Sequence, residues 1–275
     1  MASFFLPERH IIGTMEEKEK EKWIMGVYLA VYSPTGHTLK ALKALSKPFG
    51  EGEIIDLCAP KGKFVARTLK KDDLLFCAVP SYSGRMPAVA AKRLERITGD
   101  AAGAVLLVCY GNRAYEDTLL EMGDLLSEKG FRIIAGCAAV TEHSVCRKVS
   151  PGRPGKKDLA ELEGFGEKIR EKIQKGSFEE AKLPGKRPYK AAKAHFPFVP
   201  ERIKRACTQC GLCRNLCPSG AINSALETDA EACTSCLKCI ALCPEGARQL
   251  PEQMTMAVYE KLGSLPQKDN ALFIS

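Results

Sequence analysis

The sequence predicts an α/β protein built on an open, doubly wound parallel sheet, followed by a small cysteine-rich domain. Three observations carry this. Five apolar runs of strand length alternate with helical patterns between residues 24 and 176. Several of those runs are apolar on both faces, as strands buried within a parallel sheet are. Eight of the 13 cysteines then crowd between Cys207 and Cys243.

Taken in order, residues 1–23 read as an N-terminal extension, with the charge run EEKEKEK (16–22) as a solvated helix. The expected strands are Ile24–Tyr32, Glu53–Cys58, Asp73–Pro80, Ala102–Tyr110 and Arg132–Val140. Helical patterns over 38–47, 86–97, 114–130 and 156–176 separate or follow them, with Pro48, Pro87, Gly130 and Gly176 as punctuation. Five strands alternating with helices argue for the doubly wound sheet, in a first domain spanning 24–176. Residues 177–201 break the rhythm with prolines and lysines and read as a linker or wrapping segment, whose HFPFVP stretch is expected to pack onto a domain surface. A cysteine-rich domain at 202–250 and a helical segment at 251–275 complete the chain. Met254–Gly263 is expected to pack on the cysteine-rich domain or the linker.

The cysteine block is an internal repeat. CTQCGLCRNLCPSGA recurs as CTSCLKCIALCPEGA with an offset of 26 residues. Each copy is C-x2-C-x2-C-x3-C-P. Three thiolates two residues apart can surround one iron–sulfur cube while backbone amides point at its sulfides; the fourth cysteine, after a longer gap, points away. Structural zinc closes a tetrahedron with four ligands at other spacings and does not fit two such units. The block resembles a bacterial two-cluster ferredoxin domain along its whole length. That resemblance implies two [4Fe-4S] clusters with crossed ligation: Cys207, Cys210, Cys213 and Cys243 on one, and Cys233, Cys236, Cys239 and Cys217 on the other. The remaining cysteines (Cys58, Cys77, Cys109, Cys137, Cys146) read as small buried hydrophobes.

The loop after the first strand, SPTGHT (33–38), joins three hydroxyls and a glycine to a helix start. Backbone amides and the helix dipole there suit a terminal phosphate dianion. A plain helix cap is the alternative. The lysine-bearing loop of nucleoside triphosphate sites and the G-x-G-x-x-G of dinucleotide sites are both missing from that position. Two further loops, PSYSGRMP (80–87) and YGNRAYED (110–117), follow the third and fourth strands and mix aromatics with glycine and polar donors. Ligands bind at these strand ends in such a sheet.

Together, S-x-T-G-x-T and the two loops resemble the flavodoxin family over residues 24–175. The resemblance implies a sheet of order 2-1-3-4-5 and bound flavin mononucleotide (FMN). Ser33, Thr35, Gly36, His37 and Thr38 match the phosphate loop. Pro80, Tyr82, Ser83, Gly84 and Arg85 fall in the first ring-contacting loop, and Tyr110, Gly111, Asn112 and Tyr115 in the second. Arg85 and Arg113 would flank the ring, where a positive field favours anionic reduced flavin.

The whole chain is similar to flavodoxin–ferredoxin fusion proteins of anaerobes. That implies an electron-transfer protein which interconverts two-electron flavin chemistry and one-electron cluster chemistry, working with redox partner proteins. The rival reading is a flavin-dependent reductase of a small organic substrate, with His143 and Cys146 as its candidate groups. A redox-sensing scaffold is a third. The formal charge of +8 falls to about +4 once two clusters and their thiolates are counted, which removes most of the case for nucleic acid. The longest apolar runs are far short of a membrane span. The N-terminus has neither the basic start nor the apolar core of a secretory signal, so a cytoplasmic setting is expected. A homo-oligomer is compatible with all of this.

Overall fold

The computed structural model describes residues 26–177, 179–192 and 199–275. The N-terminal extension with its charge run, Ile24 and Met25 of the first expected strand, and the expected packing of Phe196 and Phe198 lie outside the described residues.

The main sheet has six strands: β1 (Val27–Val31), β2 (Glu53–Asp56), β3 (Leu74–Pro80), β4 (Gly103–Tyr110), β5 (Arg132–Val140) and β6 (Ala271–Phe273). Their order is β6-β5-β4-β3-β1-β2. The first five run parallel to their neighbours, and β6 is antiparallel to β5. The period-two geometry of a strand divides β3 cleanly. Leu75, Cys77 and Val79 join one core cluster, and Leu74, Phe76 and Ala78 join the other. Helices α2 (Ala88–Leu94) and α3 (Thr118–Glu128) cover the first face through Ala90, Leu94, Leu119, Met122 and Leu126. Helices α1 (His37–Ser46) and α4 (Lys156–Gln174) cover the second through Leu42, Leu45, Leu162 and Ile169. A side chain such as Phe76, fully buried in this sandwich, contributes about 1.5–3 kcal/mol relative to exposure. Cys58, Cys77, Cys109, Cys137 and Cys146 are all buried.

The structure departs from the sequence expectation in three places. The sheet gains its sixth strand from the C-terminus, where Ala271–Phe273 is too short to signal a strand and acquires its conformation by pairing with Gly136–Ala138. Helix α2 ends at Leu94, and Ile97–Gly99 pairs in parallel with Arg67–Leu69, a strand that sequence reading omits. The third is α5 (Glu252–Leu262), which meets the first domain, where Thr255 Oγ1 donates to Val145 O at 3.4 Å and Lys148 sits over the Tyr259 ring at 5.7 Å. Between Glu179 and Ala192 the chain wraps the first domain as a strap: Ala181 N–H donates to Ile133 O at 3.0 Å. Leu183 fills the space over Gly123 and Gly136, where any Cβ would run into it.

In the cysteine-rich domain, Glu201–Arg202 pairs antiparallel with Arg248–Gln249. Its helical turns, Leu212–Asn215 and Lys238–Ala241, repeat the 26-residue offset of the sequence. The backbone repeats too. Gln209 and Gly211 in one copy, and Ser235 and Leu237 in the other, all hold positive φ. Among the described residues no helix is long and apolar enough to cross a membrane.

Candidate functional site

A cavity of about 370 Å³ opens at the C-terminal ends of β1, β3, β4 and β5. The SPTGHT loop contributes Thr35, His37 and Thr38 to its wall, together with Pro34. Ser33 and Gly36 stand behind it. Ser33 Oγ accepts from Leu39 N–H at 2.9 Å, which caps the first turn of α1, and Gly36 turns the chain into the helix at φ 89°. The loop after β3 contributes Pro80, Ser81, Tyr82 and Ser83. It is a tight turn in which Tyr82 and Arg85 exchange backbone hydrogen bonds at 2.9 and 3.2 Å. Both central residues, Ser83 (φ 56°) and Gly84 (φ 91°), are left-handed, the geometry of a type I′ turn. Gly84 is required twice over, since a Cβ would also strike Glu116. The loop after β4 contributes Tyr110 and Gly111.

Six residues expected at the flavin do not line the cavity: Ser33, Gly36, Gly84, Arg85, Asn112 and Tyr115. Arg85 is turned to the strap instead. It pairs with Glu121 at 2.7 Å, donates to Lys190 O and lies over the Tyr189 ring at 5.1 Å. Arg113 pairs with Glu116 at 2.6 Å. Neither guanidinium is among the lining groups, and each is paired with a carboxylate that offsets its charge. Asn112 is fully buried with φ 62° and holds the C-terminal tail. Its Nδ2 donates to Pro266 O at 3.1 Å, and its Oδ1 accepts from Lys268 N–H at 2.8 Å. Tyr115 supports Tyr110 edge-on at 5.2 Å.

Sequence reading missed much of the remaining wall. Thr141, Glu142, Ser144 and Val145 follow β5, beside His143. Met254, Ala257, Val258 and Lys261 roof the cavity from α5. The i, i+3, i+4, i+7 spacing of those four was visible as a helical face, but its destination was not. Past the roof, Ser150 Oγ donates to Gln267 Oε1 at 2.9 Å, and Asn270 Oδ1 accepts from Val140 N–H at 2.9 Å, leading the chain into β6.

His143 packs flat on Gly111, where a Cβ would collide with its ring. Its Nδ1 accepts from Cys146 N–H at 3.3 Å, so the neutral ring carries its proton on Nε2. Burial, with Arg113 nearby, pushes its pKa down to about 4. The unfolded chain therefore takes up this proton first as the pH falls. Stability present above pH ~6.5 should drain away between ~6.5 and about 4, by at most about 3 kcal/mol. Flavin-free His143→Gln should show a flatter pH–stability profile in urea titrations; an unchanged profile would assign the acid sensitivity to other groups. Cys146, the second candidate group, is fully buried and does not line the cavity.

The cysteines gather in two fours. One small cavity of about 20 Å³ is lined by Cys207, Cys210, Cys213 and Cys243. A second, also about 20 Å³, is lined by Cys217, Cys233, Cys236 and Cys239. The donors around them suit thiolates: Ala221 N–H points at Cys217 Sγ (3.4 Å), Ser235 N–H at Cys233 Sγ (3.4 Å) and Ala247 N–H at Cys243 Sγ (3.2 Å). Thr234 Oγ1 and Tyr32 Oη are buried beside Cys236 without a partner of good hydrogen-bond geometry among the described residues. Orphaned buried hydroxyls call for an acceptor, and a sulfide-bearing cluster in this hollow is one.

The second four meets the first domain directly. Cys236 packs into the same core cluster as Tyr32 and Tyr82, whose rings lie 6.5 Å apart, and Ser235 lines the large cavity. Three polar contacts hold the seam. Arg93 is buried and donates to Leu57 O (2.6 Å) and Pro218 O (3.1 Å), Lys238 Nζ donates to Cys58 O (2.6 Å), and Lys61 N–H donates to Cys217 O (3.2 Å).

A 4Fe-4S binding domain model matches residues 200–223, which hold the first cysteine repeat. The match supports at least one [4Fe-4S] cluster and a redox role. No curated protein matches the chain. Three solved structures are similar at low identity. Rubredoxin oxygen:oxidoreductase from the anaerobe Desulfovibrio gigas is 11% identical with a TM-score of 0.37, over 58% of this chain and 39% of that one, so the chain spans well under half of that protein. A flavodoxin from the domain Archaea is 13% identical, TM-score 0.35, over 55% and 99% of the two chains. Fusobacterium nucleatum flavodoxin bound to flavin mononucleotide is 15% identical, TM-score 0.34, over 55% and 96%.

Proposed function

We propose that this chain is an electron-transfer protein that couples one FMN to two [4Fe-4S] clusters and so interconverts two-electron and one-electron transfer. The observation that carries the reading is the seam. Cys236 sits in one core with Tyr82, while its neighbour Ser235 lines the cavity that Tyr82 and Tyr110 also line. In this reading the large cavity holds the flavin, with Thr35, Thr38 and the start of α1 at its phosphate and Tyr82, Tyr110 and Gly111 at its ring. Cys217, Cys233, Cys236 and Cys239 hold the nearer cluster. Cys207, Cys210, Cys213 and Cys243 hold the farther one, where Cys210 is the exposed cysteine and opens towards redox partner proteins. When bound, FMN supplies the ability to exchange electrons singly or in pairs. The protein's own residues orient it, roof it with α5 and keep the clusters docked.

The reductase reading is less well supported. His143 is the titratable imidazole that follows β5 into the cavity, and at neutral pH it is an uncharged Nε2–H donor, a poor general acid.

Anaerobically prepared protein is expected to carry about eight irons with matching sulfide, by the two-cubane assignment, and about one FMN. Zinc without sulfide would overturn the cluster assignment, and flavin-free protein would overturn the cavity's. Replacing Thr35 and Thr38 together with valine removes two hydroxyl donors while keeping shape. Hydrogen bonds to a charged group contribute roughly 1.5–3 kcal/mol each, so FMN should bind at least tenfold more weakly by fluorescence titration. Unchanged affinity with lowered thermal stability would make these residues helix caps only.

A further inference from the structure

We infer that Arg248 is a positioning residue that holds the two clusters at unequal potentials, by donating a charge-assisted hydrogen bond to Cys213 and so favouring the electron on the cluster farther from the flavin. The inference rests on the two-cluster reading above.

The internal repeat makes the asymmetry visible. Each last cysteine is followed by a Pro-x-Gly-Ala segment, and the next residue is Ile222 in one copy but Arg248 in the other. Both are buried, at 6% and 3% exposure. An isoleucine there contributes packing alone. A guanidinium brings a permanent charge and a fork of donors. Among the described residues Arg248 donates to Pro200 O (3.2 Å), Thr228 Oγ1 (2.8 Å), Leu226 O and Cys213 Sγ (3.6 Å). None of these acceptors is a carboxylate. A cation buried among carbonyls alone is costly, and a four-thiolate cluster with a net charge of about −2 is the anion that offsets it.

The consequence for redox chemistry follows from charge. Reduction adds one electron to a cluster that is already anionic. A cationic donor on a ligand sulfur stabilises that added charge, which raises the potential. The guanidinium field also reaches Cys233 and Cys239 of the nearer cluster, but the hydrogen bond goes to Cys213. In the step itself one electron leaves the nearer cluster, which is oxidised, and enters the farther one, which is reduced. No bond forms or breaks, and Arg248 keeps its protons. The electron originates from a hydride-level donor at the flavin.

The experiment is an EPR-monitored redox titration of the full-length, cluster-loaded protein, compared with Arg248→Gln and Arg248→Lys. The farther cluster is identified by the signal that Cys210→Ser alters. In Arg248→Gln its reduced-to-oxidised ratio, read at the wild-type midpoint, should fall at least tenfold, which is 59 mV for one electron. The nearer cluster should change less than threefold. Arg248→Lys, which keeps the charge and guards against misfolding of the glutamine variant, should recover at least half of the shift. Equal shifts of both clusters, or unmoved ratios with a lowered melting temperature, would overturn the inference and leave Arg248 as a stitch between Pro200, Leu226 and Thr228. Wild-type protein with iron and sulfide for fewer than two clusters would overturn the underlying reading instead.

Discussion

Asn112→Ala is expected to destabilise the protein by about 2–4 kcal/mol and to loosen the roof over the large cavity. The side chain is fully buried and satisfies two backbone groups of the tail, Pro266 O and Lys268 N–H. Removing it breaks both bonds; Pro266 and Lys268 are exposed to water, so each bond contributes about 0.5–1.5 kcal/mol. Alanine must also adopt φ 62°, a region that asparagine tolerates better. Asn112→Gly separates the two effects, because glycine accepts that φ and still loses both hydrogen bonds. Most of the destabilisation should therefore persist in the glycine variant. The roof helix α5 is tethered on its C-terminal side by this tail, so hydrogen exchange in residues 254–270 should accelerate in both variants and FMN should dissociate faster. Equal exchange in variant and wild type would show that β6 alone anchors the tail.

Arg93→Met is expected to slow electron passage between clusters and flavin by at least tenfold while leaving cofactor content intact. Arg93 is buried and joins Leu57 of the first domain to Pro218, the residue after the cluster ligand Cys217. Its charged hydrogen bonds contribute roughly 1.5–3 kcal/mol each, and methionine of similar length keeps the contact with Phe64 but makes neither bond. Loss of even one such bond lowers the docking equilibrium constant about tenfold or more. Lys238 and Lys61 remain to hold the seam, so the variant should still fold. Rapid mixing of oxidised protein with a one-electron reductant that enters at the clusters would follow flavin bleaching. In the wild type the rate should be independent of protein concentration; a rate that rises with concentration would show that the relay runs between chains. An Arg93→Met rate equal to wild type would remove Arg93 from the docking machinery.

Much of this was legible before any coordinates. The two cysteine repeats could be read because two-residue gaps bring three thiols to one hollow; the fourth, from the other repeat, was implied only by the ferredoxin resemblance. Strands β3, β4 and β5 could be read because burial on both faces leaves continuous apolar runs. The turn into α1 was legible because Ser33 and Gly36 act within its first turn. Side-chain direction was not legible wherever a distant partner decides it. Arg85 looks like a flavin-flanking cation until Glu121 and Lys190 O claim it, and Asn112 looks like a ring contact until the tail from residues 266–268 arrives. The sequence by itself determined which residues could ligate clusters, where a phosphate could sit and which runs would enter the sheet. Only the tertiary structure decided that the last 25 residues return to the first domain, that α5 roofs the cavity and that Cys236 meets Tyr82. The physical reason is that these depend on contacts between segments far apart in the chain, whose hydrogen bonds and buried area exist only once both segments are in place.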